Sequence, residues 1–193
     1  YTAHEVISNN TASLIRKDAH LNVIVLSNED VRSGVYSSNP NYALDDKDKP
    51  ANFISMVNEK YPNKYWEFNS IITKTSACAL QQQQDFKDKN GNTIKDSSGK
   101  SVIGANVGLL YAQISSSASK DVDGNLSPRG QVLDICSTNY SNHFNNIAAK
   151  IEDSARKLTL KCKPLETPVV TNSNGMSTSI PYVWDGNTSI TFN

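Results

Sequence analysis

Residues 23–26 read Val-Ile-Val-Leu, an unbroken apolar run inside the stretch LNVIVLSNED at 21–30. A strand with one wet face alternates apolar and polar residues, and this one does not. Such a run, closed by polar residues, suits a strand covered on both faces, the usual state of a central strand in a parallel sheet. Ser27, Asn28, Glu29 and Asp30 then place four oxygen-bearing side chains where the strand runs out. Open parallel sheets bind ligands beyond the carboxyl ends of their strands. These four residues are therefore the first candidate surface for a ligand or partner.

Helical and extended patterns alternate around that strand. Residues 1–19 read as the end of a helix, with Val6, Ala12, Leu14 and Ile15 apolar and Arg16 and Lys17 suited to its carboxyl terminus. A polar connection over 31–50 ends at Pro50, a good first-turn residue for a helix at 51–61 that carries Phe53, Ile54, Met56 and Val57 and stops at Pro62. A second strand spans 66–73, with Trp66, Phe68, Ile71 and Ile72. Two turn signals, Asp88-Lys89-Asn90-Gly91-Asn92 and Asp96-Ser97-Ser98-Gly99, mark residues 81–103 as an exposed hairpin insertion.

A short helix at 108–118 turns Leu109, Leu110 and Ile114 inward, and a turn at 121–125 leads to Gly130 and a third strand at 131–135. A longer helix at 139–156 has Phe144, Ile147, Ala148 and Ile151 as its apolar stripe. After Lys157 the period becomes alternating, with short strands at 158–160, 169–171, 180–184 and 189–192. Asp185-Gly186-Asn187 makes a tight turn between the last two. The expected class is α/β: a mostly parallel sheet over residues 1–157, closed by an antiparallel β-hairpin tail over 158–193.

The 19 basic and 19 acidic residues balance, so the chain carries no electrostatic footprint for nucleic acid or a membrane surface. No apolar stretch approaches the roughly 18 residues of a membrane span. The chain opens on Tyr1 without a visible signal peptide, which reads as a mature product or an excised piece. Asn, Ser and Thr are abundant, as in secreted bacterial surface proteins. Asn9, Asn139 and Asn187 each open an N-x-S/T triplet and would be glycosylation candidates in a eukaryotic secretory route. Cys78, Cys136 and Cys162 fit no metal spacing; one structural disulfide with one thiol left over is favoured over three free thiols.

Other chemistry is weakly supported. The stretches at 88–92 and 121–125 look like calcium loops but lack the glycine, glutamate and flanking helices of an EF-hand, so plain turns are favoured. His4, His20 and His143 share no metal spacing and stand near no nucleophile motif. Glu29 and Asp30 are adjacent, and neighbours leaving a strand point apart, which argues against an acid–base pair. Gln81–Gln84 reads as a solvated loop, and Trp66 and Trp184 as packing residues.

The stretch LIRKDAHLNVIVLSNED at 14–30, with GQVLDIC at 130–136, YVWD at 182–185 and ITF at 190–192, resembles the C-terminal half of a von Willebrand factor A-like domain. The variants it is most similar to occur in secreted proteins and lipoproteins of Gram-negative bacteria. The resemblance implies a partial doubly wound sheet with the 81–103 hairpin inserted. Such domains hold a divalent metal in a three-loop adhesion site. The Asp-x-Ser-x-Ser loop and the threonine loop belong to the first half and have no counterpart here. The third loop normally carries an Asp where this chain has Asn28, a neutral ligand that Mg²⁺ disfavours. The expectation is a degenerate site with no cofactor, Asn28 and Asp30 being at most weak ligands for Mg²⁺ or Ca²⁺.

The resemblance also implies that the strands at 66–73 and 131–135 are adjacent, which brings Cys78 and Cys136 within disulfide reach and leaves Cys162 unpaired and buried near the tail. It further places the 21–27 strand beside one from the missing half. An apolar edge of that kind invites pairing. The expected partner is another polypeptide that completes the sheet: an N-terminal fragment of the same precursor, another subunit or a swapped strand. The functional expectation is a non-enzymatic, extracytoplasmic interaction or adhesion module working through Ser27–Asp30. The alternative is a structural subunit of a bacterial surface fibre, sheath or appendage. Hydrolysis by Glu29 or Asp30 is a distant third.

Overall fold

The computed structural model describes the chain apart from residues 1, 11–12, 17–18, 32–43, 63, 86–89, 102, 121–124, 161 and 173. Its first helix, α1 (Thr2–Asn9), is much shorter than the apolar pattern over 1–19 suggests. Asn10 takes a left-handed φ of 42°, and its side-chain amide bonds both the N–H and the C=O of Ile15. Asn competes with the helical backbone in this way and tolerates the left-handed region that ends a helix. Ile15 still folds back onto the core.

Strand β1 (Leu21–Ser27) follows, and after a turn of 3₁₀ helix at Asp46–Asp48 comes α2 (Pro50–Lys60), with Pro50 in its first turn and Phe53 and Val57 buried. Next is β2 (Trp66–Ile72), every residue of which is buried. An unforeseen helix, α3 (Ser76–Gln82), is capped by the Thr75 side chain, which accepts the Cys78 N–H at 3.1 Å. The insertion is extended in its described part. β3 (Gln84–Asp85) pairs antiparallel with β4 (Ile103–Gly104), and Lys95 bridges Ser101 around a turn at Gly99.

Helix α4 (Leu109–Ser116) buries Ile114 but leaves Leu109 exposed, against the expectation that Leu109 points inward. β5 (Ala118–Lys120) and β6 (Leu126–Pro128) form a hairpin, and most of the turn expected at 121–125 falls outside the described residues. β7 (Val132–Asp134) leads to α5 (Tyr140–Arg156), capped by the Asn139 side chain. Of its expected stripe, Ile147 is buried, while Phe144 and Ala148 face solvent.

The tail is β8 (Lys157–Thr159), β9 (Tyr182–Trp184) and β10 (Ser189–Phe192), in the order β8-β10-β9. The strand expected at 169–171 is not one: Val169 is exposed, and Thr171 makes a single bridge to Ser177. Cys162 is exposed, not buried, because the tail folds as a thin sheet with little interior.

The main sheet is parallel, in the order β1-β2-β7. Its register runs from Leu21 opposite Trp66 to Ser27 opposite Ile72, and Ser70 lies opposite Val132. β1 is thus an edge strand, and β2 is the covered central one. On one face Leu21, Val23, Trp66 and Phe68 pack against Ile7, Phe53, Val57 and Ile114. The Phe53 ring meets Trp66 and Phe68 edge-on at 6.1 and 5.6 Å. α5 lies on the other face, where Lys150 reaches the buried Glu67 at 3.2 Å and His143 contacts the Asp134 carbonyl at 3.0 Å. The protein is a mixed α/β fold, with a three-strand parallel sheet and small separate antiparallel sheets.

Candidate functional site

The chain leaving β1 is tied back onto the sheet. Ser27 Oγ donates to the Glu29 carbonyl at 2.8 Å and accepts the Glu29 N–H at 3.2 Å, closing a tight side-chain turn. The Asn28 carbonyl accepts from Thr73 Oγ1 at 3.1 Å and from the Asn106 N–H at 3.1 Å. That joins the end of β1 to the end of β2 and to the approach to α4.

Asp30 does most to fix the corner. Both of its carboxylate oxygens accept the Leu110 N–H at 3.1 Å, and one also takes the Val31 N–H at 2.9 Å. Leu110 lies in the first turn of α4, whose preceding residue, Gly108, has no side chain to cap it. Asp30 supplies that cap from another element, and an anion there also opposes the helix dipole. Burial pushes the Asp30 carboxyl up, outweighing the backbone bonds that hold it down. The Tyr111 hydroxyl is pushed up as well, first by burial and then by the negative charge of Asp30, Asp48 and Glu29.

All four candidate residues therefore commit hydrogen-bonding groups to the corner itself: Ser27 and Asp30 through side chains, Asn28 through its backbone. Glu29 contributes its backbone, and its charge bears on Tyr111. Among the described residues, one trio of metal-ligating atoms falls within 4.8 Å: Cys78, Asp134 and Cys136. Two of those sulfurs are joined in a disulfide, with the Cα atoms 5.7 Å apart. Among the described residues, Asp30 belongs to no such trio. The disulfide links the start of α3 to the loop after β7, the pairing that the resemblance implies.

A larger opening lies along the outer edge of β1. A groove of about 610 Å³ runs between that edge and α1, lined by His4, Val6, Ile7, Asn22, Val23 and Ile24 among others, and it reaches Asp48 and Tyr111. Among the described residues no strand pairs with this edge. The Leu21 N–H bonds the Tyr65 carbonyl, so Leu21, Val23 and Val25 hydrogen-bond toward β2, and Asn22, Ile24 and Leu26 turn theirs outward. Ile24 and Leu26 are 45% and 60% exposed. Their side chains stand on the face opposite the main core, beside the Asn22–Glu67 hydrogen bond of 2.7 Å.

Thr73, Asn106 and the Leu110 amide complete the corner, and none of them stands out in the sequence. The available signal was Gly108, a residue unable to cap the helix that follows it. The chain matches no family model, no curated protein and no solved structure.

Proposed function

We propose that this chain is a non-enzymatic protein-interaction module of the extracytoplasmic, von Willebrand factor A-like kind, whose β1 edge accepts an extended strand from another polypeptide. One observation carries the reading: an apolar strand at the margin of a parallel sheet, with outward-turned amides and a groove beside it. Strand addition takes affinity from main-chain hydrogen bonds and specificity from pockets for alternate side chains, and this edge offers both. Ser27, Asn28, Glu29 and Asp30 then serve the interaction by holding the carboxyl end of β1 in place, and no metal is needed. The Cys78–Cys136 disulfide supports an oxidising, extracytoplasmic setting. No helix among the described residues is long and apolar enough to cross a membrane.

The second reading, a structural subunit of a surface fibre, sheath or appendage, draws on the exposed Leu165, Val169, Met176 and Val183 of the tail. Intact-mass analysis of native material separates the two. A co-purifying different polypeptide, lost on Ile24→Pro, is the expected result. Assembly of identical chains through the tail, unaffected by Ile24→Pro, would favour the structural subunit.

A further inference from the structure

At the amino end of the main sheet, away from Ser27–Asp30, a second cavity of about 330 Å³ lies between the start of β2 and the β5–β6 hairpin. Asn58, Lys64, Tyr65, Trp66, Lys120 and Arg129 are among its walls. Arg129 is only 6% exposed. Its guanidinium lies over the Trp66 ring, 3.9 Å from the centroid, and its Nε donates to Ser117 Oγ at 3.2 Å. The Trp66 ring is held in turn by its own N–H, which donates to Asn58 Oδ1 at 2.9 Å. Among the described residues no carboxylate pairs with Arg129.

A buried charge without a counter-ion is costly. Stacking on Trp66 offsets part of that cost at the face of the guanidinium, and Ser117 satisfies one edge. The terminal nitrogens, the fork that matches a carboxylate or phosphate, are left to the cavity. Among the described residues that line the cavity, the charged ones, Lys64, Lys120 and Arg129, share one sign. Lys64 Nζ is anchored at the rim by the Arg16 and Ala19 carbonyls at 2.6 and 2.5 Å, and Lys120 stands exposed on β5. Burial holds the Arg129 pKa below its usual value, outweighing the opposing influence of the Tyr65 hydroxyl.

We propose that this cavity binds a small oxyanion, a phosphate or carboxylate group, gripped by the Arg129 fork, with Lys120 closing over it. This site is independent of the β1 edge and stands whether or not a strand docks there. The test is calorimetric titration of the whole, disulfide-bonded chain at low salt with inorganic phosphate and, separately, with succinate. Saturable binding of at least one is expected. It should weaken about tenfold or more on Arg129→Met and about two- to fivefold on Lys120→Gln. Binding of phosphate alone assigns a phosphoryl group, and binding of succinate alone assigns a carboxylate. Lys120 is exposed, so Lys120→Gln decides the matter if Arg129→Met fails to fold. No heat from either anion, or binding that Lys120→Gln leaves undiminished, overturns the proposal.

Discussion

Asp30 can be tested as a cap separately from any role as a ligand. Asp30→Ala removes the acceptor for the Leu110 N–H and should cost about 1 kcal/mol by urea unfolding. Asp30→Asn keeps an accepting oxygen and should cost distinctly less. The pH dependence runs opposite to that of a salt-bridged carboxylate. Because the folded state raises the Asp30 pKa above 3.8, it binds the proton more readily than the unfolded chain does. Stability measured against the non-titrating Asp30→Asn variant should therefore rise as pH falls from neutral toward 3.8, and a relative fall would contradict the burial argument. Gly130 is constrained by space: a Cβ there would sit 1.9 Å from the Phe68 carbonyl oxygen, in the middle of β2. Gly130→Ala should destabilise by about 1–3 kcal/mol or more, with the loss seen in thermal unfolding. At this scale the position of Ser27–Asp30 was legible in the sequence, but its use was not. A capping carboxylate and a binding carboxylate look alike until the helix they face is placed. Arg129 was invisible for the same reason, since its burial depends on Trp66, some sixty residues away in the chain, as well as on the hairpin that immediately precedes it.

The elements themselves show where pattern reading works and where it inverts. Pro50, Phe53 and Val57 placed α2, and the turn residues Asp185 and Gly186 placed the last hairpin, because those signals are local. The two principal strands exchanged roles. Val23–Leu26 reads as a strand covered on both faces and lies at an edge, while the Trp66–Thr73 stretch, read only as a second strand, is the wholly buried one. β2 tolerates its polar residues because each finds a partner. Glu67 meets Asn22, Tyr65 and Lys150, Asn69 accepts the Gln131 N–H, and Ser70 pairs with Ser115. Buried polar groups satisfied in this way cost little, and a hydrophobic count cannot anticipate it. The link between elements is also testable. The Cys78–Cys136 bond closes a chain separation of 58 residues, so replacing both cysteines with Ala should lower stability by about 4 kcal/mol in denaturant.

At the scale of the whole molecule, a three-strand parallel sheet with helices on both faces is a small core, with β1 at its margin among the described residues. The resemblance drawn from LIRKDAHLNVIVLSNED led to that expectation, a sheet lacking a neighbour on one side. Proline at position 24 removes an outward N–H while leaving the bonds to β2 in place. Ile24→Pro should therefore abolish partner capture with thermal stability changed little. The most direct measurement is residue-resolved amide hydrogen exchange on the isolated chain at concentrations where it is monomeric. The account predicts alternation along β1: the Val23 and Val25 amides protected by β2, and those of Asn22, Ile24 and Leu26 exchanging freely until a partner strand is added. Uniform protection of all five in the isolated monomer would mean that the chain already covers its own edge, and the interaction reading would fall.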